Sequence, residues 1–369
     1  MKPVCHAHAG RSRREFVAGV AGLAAGGYLF QDRSAAQTPA APSAKPHRLD
    51  VHCHFVAPAY LAFLKEQGNP GIAPPPWDLN KHIDDMNKGG TATSIVSLPR
   101  PGVFYGPVAG VRKITRVVNE YNAKLIADHP GRFGMFATLP LTDIEGSLTE
   151  TAYALDVLKA DGIGMKTNYE EKWLGDPIFA PLYEELNRRK AVIYTHPQDA
   201  PCCLDLVPGV NSTTIEYGTN TTRTIASLLY SGTAAKYPDI RWIFSHAGGT
   251  MPFLVQRIIG KDAAMYLRDG GVLAAGAPAN PGARPTMPKG PLFELQKFYY
   301  DTANTFNPVA MRALRTVVPV SQIVFGTDFP YSFAPEIVKG LTVSGVFDAK
   351  ELLAVDRDNA ARLLPRYRT

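Results

Sequence analysis

Cysteine is scarce in this chain of 369 residues: four cysteines are present, and no Cys-x-x-Cys pair occurs among them. Four cysteines are too few for a disulfide framework, and without that spacing a structural zinc knuckle is not expected. We interpret the adjacent Cys202 and Cys203 as a detail of a loop.

The sequence also lacks a hydrophobic run long enough for a bundle of membrane spans, because the apolar stretch at residues 17–30 is shorter than the roughly 20 residues that a span needs. The net charge is +6, from 39 Lys and Arg against 33 Asp and Glu. No stripe of basic residues with interleaved aromatics is present, so we expect no nucleic-acid partner. With 45% hydrophobic and 20% charged residues, the composition is that of an ordinary globular protein.

Residues 1–36 have the pattern of an export signal. Arg13 and Arg14 follow a basic start, the apolar stretch comes next, and Ser34-Ala35-Ala36 offers small residues for cleavage. This segment resembles a twin-arginine signal peptide, which implies export through the twin-arginine (Tat) machinery to the periplasm. A membrane anchor or an uncleaved tail is the alternative. Residues 37–47, rich in Pro, Ala and Ser, are predicted to be a linker, and residues 48–365 the folded domain.

Short apolar runs alternate with helical patterns along this domain. Strands are predicted at residues 49–55, 93–98, 133–139, 162–167, 192–196, 242–245, 298–301 and 323–326, and helices at 78–88, 111–128, 144–159, 178–189, 221–236, 252–267 and 308–316. Strands separated by helices indicate parallel βαβ units, and eight such units close naturally into a single (β/α)8 TIM barrel. A doubly wound sheet is the alternative, but the Gly-rich turn of its nucleotide site is missing after the first strand.

Residues that can bind a metal or move a proton stand at the ends of four predicted strands, where barrels carry their reactive groups. His52 and His54 end the first strand and project to the same side, because side chains alternate along a strand. His196 ends the fifth strand, His246 follows the sixth and Asp328 the eighth. Three imidazole nitrogens and a carboxylate suit zinc, manganese or a similar ion and leave a coordination position open.

The motifs that carry these residues resemble those of the amidohydrolase superfamily: Asp-x-His-x-His, Thr-His-Pro, Ser-His-Ala-Gly-Gly and Gly-Thr-Asp-Phe-Pro. Within it, the chain is similar to the aminocarboxymuconate semialdehyde decarboxylase branch. The segments YNAKLIADHPGRFGMFATLPL, TNYEEKWLGDPIFAPLYEEL and SHAGGTMPFLVQRI look closest to 6-methylsalicylate decarboxylase-like members. The resemblance implies a metal-dependent decarboxylase (a carboxy-lyase) of a small aromatic or muconate-type carboxylic acid, with an ortho-hydroxybenzoate as the expected substrate.

The resemblance also implies a role for each site residue. His52, His54, His196 and Asp328 would hold one divalent ion, with zinc expected first and manganese second. His246 and Asp328 would be the catalytic residues, because the histidine at this position in the family activates the metal-bound water or moves the proton.

Arg257 and Phe55 are predicted to bind the substrate. Arg257 matches an arginine that in the decarboxylase reaches from a neighbouring subunit to the substrate carboxylate, so a homodimer or larger homo-oligomer is expected. Phe55 is a candidate for the pocket wall. Lys166 matches a lysine that bridges two ions in binuclear members; with one ion it is expected to be a polar or structural residue near the barrel mouth.

Two other functions remain open from the sequence. The same ion would lower the pKa of a bound water, and with His246 as the base the protein would be a hydrolase of a lactone or amide. A metal-binding or scavenging protein without enzymatic activity would need a closed coordination sphere instead. The predicted metal ligands alone do not distinguish decarboxylation from hydrolysis.

Overall fold

Eight parallel strands form a barrel in the computed structural model, which describes residues 45–68, 74–204 and 206–368. From first to eighth, the barrel strands are Arg48–His54, Thr91–Ser97, Phe133–Thr138, Gly162–Lys166, Val192–His196, Arg241–Phe244, Tyr299–Asp301 and Ile323–Val324. Each pairs in parallel with the next one along the chain. The predicted (β/α)8 barrel is therefore confirmed.

Backbone hydrogen bonds between the first strand and the segment around the eighth bring the two ends of the sheet together. The Val51 N–H donates to the Phe325 carbonyl at 3.0 Å, and the His54 N–H donates to the Phe329 carbonyl at 2.8 Å. The first contact lies at the middle of the strand Arg48–His54 and the second at its carboxyl end, and together they place the residues after the eighth strand beside His52 and His54.

Helices fill the connections between the strands, and most strand residues are buried on both faces, as in other parallel barrels. The α-helices are Pro58–Glu66, Leu79–Gly89, Val108–Asp128, Ile144–Ala152, Ala180–Arg188, Ser212–Tyr230, Thr233–Lys236, Met251–Ile259, Lys261–Ala264, Pro291–Leu295, Pro308–Val317, Ala334–Val343, Ala349–Leu353 and Asn359–Leu363. A two-stranded antiparallel hairpin, Asn168–Tyr169 with Lys172–Trp173, follows the fourth barrel strand. Among the described helices, none combines the length and apolar character that crossing a membrane requires.

In the structure, the helix predicted at residues 221–236 begins earlier and is interrupted before Thr233. It begins at Ser212, where the Asn211 side chain accepts from the Thr213 N–H and caps the first turn. It ends at Tyr230, because Gly232 adopts a left-handed conformation with φ of 81° before the short helix Thr233–Lys236.

Two sequence expectations concern segments outside the barrel core. The predicted signal peptide (residues 1–36) and residues 37–44 of the predicted linker lie outside the described residues. Cys202 and Cys203 are joined by a disulfide in the turn Pro201–Cys203, which the interpretation as a loop detail did not foresee.

Candidate metal centre

Four residues meet at the carboxyl ends of the barrel strands. His52 and His54 lie at the end of the first strand, His196 ends the fifth, and Asp328 follows the eighth. One nitrogen of each imidazole and one oxygen of the carboxylate all lie within 4.8 Å of one another, and all four residues are buried. The structure brings together the four residues that the sequence predicts as metal ligands.

The Nδ1 atom of each histidine faces an oxygen outside this group. The pairs are His52 with the Asp301 carboxylate at 2.7 Å, His54 with the Ser97 carbonyl at 3.3 Å, and His196 with the Pro197 carbonyl at 2.8 Å. Because these oxygens accept, they favour the proton on Nδ1 and leave the Nε2 lone pair facing inward.

The inward nitrogens face a carboxylate oxygen. The Nε2 atoms of His52 and His54 each lie 3.0 Å from Asp328 Oδ1, and Nε2 of His196 lies 3.8 Å from it. The buried Nε2 atoms of His52 and His196 have no hydrogen-bond partner within the described chain. Lone pairs that converge in this way are stabilised by a cation, so the residues present fit a single divalent ion with nitrogen and oxygen ligands.

The electrostatics of the group favour the same ion. Burial lowers the pKa of His54 to about 4 and that of His196 well below its usual value, so both imidazoles are neutral and able to bind a metal. Burial also opposes a charge on His52, but the carboxylates of Asp301 and Asp328 outweigh burial and raise its pKa to about 10. Two carboxylates that stabilise a proton at this point also stabilise a metal ion.

Asp328 presents its two oxygens to different partners. Oδ1 faces the ligand imidazoles, whereas Oδ2 accepts from Asn304 Nδ2 at 2.6 Å and lies 3.4 Å from His246 Nε2. The His246 backbone N–H donates to Asp301 Oδ1 at 2.8 Å. Asp301 therefore positions both the His52 imidazole and the loop that carries His246.

The loop after the sixth strand bends sharply in the left-handed region. His246 has φ of 54°, and Gly248 and Gly249 have φ of 75° and 68°. A Cβ atom on Gly249 would overlap the carbonyl oxygen of Gly218 in the helix Ser212–Tyr230. Glycine is required at position 249 both by the backbone conformation and by this close approach.

A cavity of about 520 Å³ opens beside the four candidate ligands. His196, His246 and Asp328 form part of its wall. The other lining residues are polar, small or aromatic: Arg100, Thr213, Thr214, Tyr217, Gly218, Gly249, Thr250, Asn304, Thr305 and Tyr331. The centre is thus open on one side to a small organic molecule, as catalytic metal sites are.

Phe55 and Arg257, the two residues predicted to bind substrate, are not among the described residues that line this cavity. Phe55 is buried, and its ring stacks on that of Tyr121 with the centroids 6.1 Å apart. Arg257 is exposed on the helix Met251–Ile259. A role for Arg257 in catalysis therefore requires a second subunit.

Arg100 and Asn304 are among the lining residues that the sequence did not single out. Arg100 follows the second strand in the segment Leu98-Pro99-Arg100-Pro101-Gly102, and Asn304 follows the seventh. Both stand three residues beyond a strand end, but the sequence does not show which way a side chain so far past its strand points. Lys166 lies nearby; burial lowers its pKa to about 7, and its Nζ donates to the Leu98 carbonyl at 2.7 Å.

Comparison with known proteins gives relatives over nearly the whole described chain. The sequence pattern of a family described as amidohydrolase matches residues 49–366. The decarboxylase macB of Penicillium terrestre is 37% identical over 341 residues, which cover 87% of this chain and 96% of that protein. The 6-methylsalicylic acid decarboxylase of Penicillium expansum is 31% identical over 332 residues, with coverage of 87% and 97%.

Solved structures share the fold. One is a dihydroxybenzoic acid decarboxylase from Polaromonas with bound manganese and an inhibitor, 2-nitroresorcinol. It superimposes with a TM-score of 0.71 at 19% identity and covers 88% of this chain and 98% of its own. At this identity the likeness extends to the barrel architecture alone.

Proposed function

The chain belongs to the amidohydrolase family, and we propose that it is a metal-dependent decarboxylase, a carboxy-lyase, of a small aromatic carboxylic acid. An ortho-hydroxybenzoate is the substrate that we propose. The observation that carries the proposal is the group of four converging ligands beside a cavity large enough for one aromatic ring. The Penicillium terrestre and Penicillium expansum relatives, both above 30% identical and both decarboxylases by name, support the same reaction.

His52, His54, His196 and Asp328 Oδ1 would hold the ion, for which we propose zinc because three imidazoles and one carboxylate are common zinc ligands. Manganese is the alternative, supported by the manganese in the Polaromonas structure. When bound, the ion supplies positive charge that offsets the phenolate and carboxylate charges of the acid. Activity of the apoprotein reloaded with each metal separately distinguishes the two.

His246 is the group that we propose to hold the proton for the reaction. Its imidazole lines the cavity, and its Nε2 lies 3.4 Å from Asp328 Oδ2. The proton passes from Nε2 to the ring carbon that bears the carboxylate. The bond from that carbon to the carboxylate then breaks, its electron pair returns to the ring, and carbon dioxide leaves.

Incubation of the metal-loaded protein with salicylate, 6-methylsalicylate and 2,6-dihydroxybenzoate in D2O tests this function. We expect release of carbon dioxide and a phenol that carries deuterium at the ring position that the carboxylate left. If no acid releases carbon dioxide while the same protein cleaves a lactone or an amide, the metal-dependent hydrolase is the correct function and the decarboxylase is not.

We propose that a second copy of the chain packs on the helix Met251–Ile259. Phe253 and Leu254 on this helix are 64% and 38% exposed, and Arg257 is exposed beside them. Burial of the two apolar side chains against a partner would carry the Arg257 guanidinium to the neighbouring subunit, where it is well shaped for a carboxylate. Light scattering should give a dimer or larger oligomer for the wild type and a monomer for Phe253→Glu. A monomeric wild type would remove Arg257 from the site.

We propose that residues 1–36 direct export through the twin-arginine machinery and that the mature protein is periplasmic. The support is the sequence alone: the arginine pair, the apolar stretch and the small residues after it. Residues 1–47 fused to a folded reporter should send it to the periplasm, and the double change Arg13→Lys, Arg14→Lys should keep it in the cytoplasm. Export that does not respond to the double change would refute the proposal.

A further inference from the structure

Arg100 lines the cavity but has no part in the mechanism above. Its side chain is 12% exposed and lines the same cavity as the ligands His196 and Asp328. Among the described residues around this cavity, it is the one with a permanent positive charge, since a guanidinium stays protonated in proteins. A mostly buried guanidinium that faces an open cavity is a binding group for an anion.

The loop that carries Arg100 is anchored on both sides. On one side, Lys166 Nζ donates to the Leu98 carbonyl at 2.7 Å, and on the other the Gly102 N–H donates to the Tyr60 hydroxyl at 3.0 Å. Both anchoring side chains are buried. The backbone around Arg100 is therefore fixed, and the side chain is presented to the cavity from a rigid support.

Asp199 and Tyr217 orient the guanidinium without saturating it. Nη1 of Arg100 donates to Asp199 Oδ2 at 3.3 Å, and Cζ lies 5.3 Å from the centroid of the Tyr217 ring. In the part of the chain that the structure describes, this is the one hydrogen bond from the Arg100 guanidinium. Since a guanidinium has five N–H donors, most of them remain for a ligand.

Tyr217 also links Arg100 to the metal centre. Its ring centroid lies 6.5 Å from that of the ligand His196, so the guanidinium and a metal ligand contact the same aromatic ring. An aromatic acid that enters this cavity beside the ligands therefore meets the wall that carries Arg100.

We propose that Arg100 binds the carboxylate of the substrate from within the same subunit and so makes the site select acids over neutral phenols. The inference rests on the proposed function, because it assigns the anionic group of that substrate. Decarboxylation removes the carboxylate, so the product phenol loses this contact while it keeps its hydroxyl. The contact thus favours binding of the acid and release of the product.

Kinetics and binding of Arg100→Met and Arg100→Lys test the inference. Arg100→Met removes a charge-assisted, bidentate hydrogen bond to the carboxylate and should raise KM for the acid about 10- to 100-fold. Lysine keeps the positive charge but cannot form the bidentate contact, so Arg100→Lys should show a smaller rise in KM. The dissociation constant of the product phenol should stay at the wild-type value in both variants. Arg284→Met is the matched control, because its guanidinium lies 4.6 Å from the Tyr230 ring and outside the cavity.

Metal content and thermal melting of each variant show whether it is folded and loaded. A wild-type KM in loaded Arg100→Met would overturn the inference, and so would an equal loss of affinity for acid and phenol, which indicates a structural role. Failure of the proposed function is a different result, in which the wild type releases no carbon dioxide. Equilibrium binding of salicylate and phenol to the same proteins then still decides the role of Arg100.

Discussion

Replacement of Asp301 by asparagine should weaken metal binding without removing a metal ligand. Asp301 is fully buried; Oδ2 lies 2.7 Å from His52 Nδ1, and Oδ1 accepts from the backbone N–H groups of His246 at 2.8 Å and Ala303 at 3.1 Å. In Asp301→Asn, the amide oxygen keeps these two backbone donors, so the amide NH2 faces His52. Nδ1 of His52 must then accept, which moves the imidazole proton to Nε2, the nitrogen that faces the other ligands.

The expected loss of metal affinity is about 10- to 100-fold, or about 1.4–2.7 kcal/mol, the usual effect of removing the hydrogen-bond partner of a ligand histidine. The effect arises because the ring must take up a less favoured tautomer before its Nε2 lone pair can bind the ion. The remaining ligands His54, His196 and Asp328 keep their own partners, so binding is weakened and not abolished.

Zinc affinity is measured by titration against a chelator of known affinity, with the wild type, Asp301→Asn and a control variant. Asp161→Asn is the control, because Asp161 is another buried carboxylate, which accepts from the Met135 N–H at 2.9 Å and the Tyr367 hydroxyl at 3.0 Å. It precedes the fourth strand, at the amino ends of the strands and so at the opposite end of the barrel from the ligands. The control should bind zinc as the wild type does. Wild-type affinity in folded Asp301→Asn, or equal weakening in the control, would refute the reasoning.

Three further changes test other parts of the structure. His246→Asn should lower kcat by about 100-fold or more while the zinc content per subunit stays at the wild-type level, as measured by carbon dioxide release and elemental analysis. Burial raises the pKa of Asp85 from 3.8 to about 6, so the folded protein binds more protons than the unfolded chain between these values and its stability falls as pH rises through them. Asp85→Asn should remove that decrease, about 1 kcal/mol after solvent screening, in urea unfolding at pH 4 and pH 7. Gly249→Ala should lower the free energy of unfolding by about 2–4 kcal/mol, because its φ of 68° and the Gly218 carbonyl leave no room for a Cβ atom.

Each of these expectations has a contrary outcome. Loss of zinc from His246→Asn would make His246 a ligand. An unchanged pH dependence in Asp85→Asn would show that another group causes the decrease. Wild-type stability of Gly249→Ala would mean that the loop can move away from the helix Ser212–Tyr230.

The sequence predicts the limits of the strands more accurately than the limits of the helices. Because a parallel strand is buried on both faces, its sequence is rich in apolar and β-branched residues, and residues 192–196 predict the strand Val192–His196 to the residue. The helix Ser212–Tyr230 begins with a Thr- and Asn-rich stretch of weak helical propensity, so the sequence predicts its start nine residues too late, at Thr221. Its true start depends on the Asn211 cap and on packing against the barrel.

The convergence of the four candidate ligands was predictable, whereas the position of Arg100 was not. In a barrel, strand ends meet at one rim whatever the loops do, so His52, His54 and His196 come together as soon as the strand order is known. Arg100 stands three residues beyond its strand, and its direction is set by contacts from distant parts of the chain to Leu98 and Gly102. Such contacts leave no local pattern in the sequence.

Asp328 and the two residues whose side chains contact its Oδ2 share an unfavourable backbone conformation. His246, Asn304 and Asp328 have φ of 54°, 54° and 68°, and a positive φ costs a non-glycine residue about 1–2 kcal/mol. They follow three successive strands, and the sharp bend after each strand turns the side chain back across the barrel mouth. The Asp328 N–H also donates to the His52 carbonyl at 2.6 Å, so the closed barrel holds the strained turn in place. Glycine at these three positions would relieve the strain, but the proton-holding and metal-binding side chains would be lost with it, and the barrel therefore stabilises a rim that local propensity alone would not form.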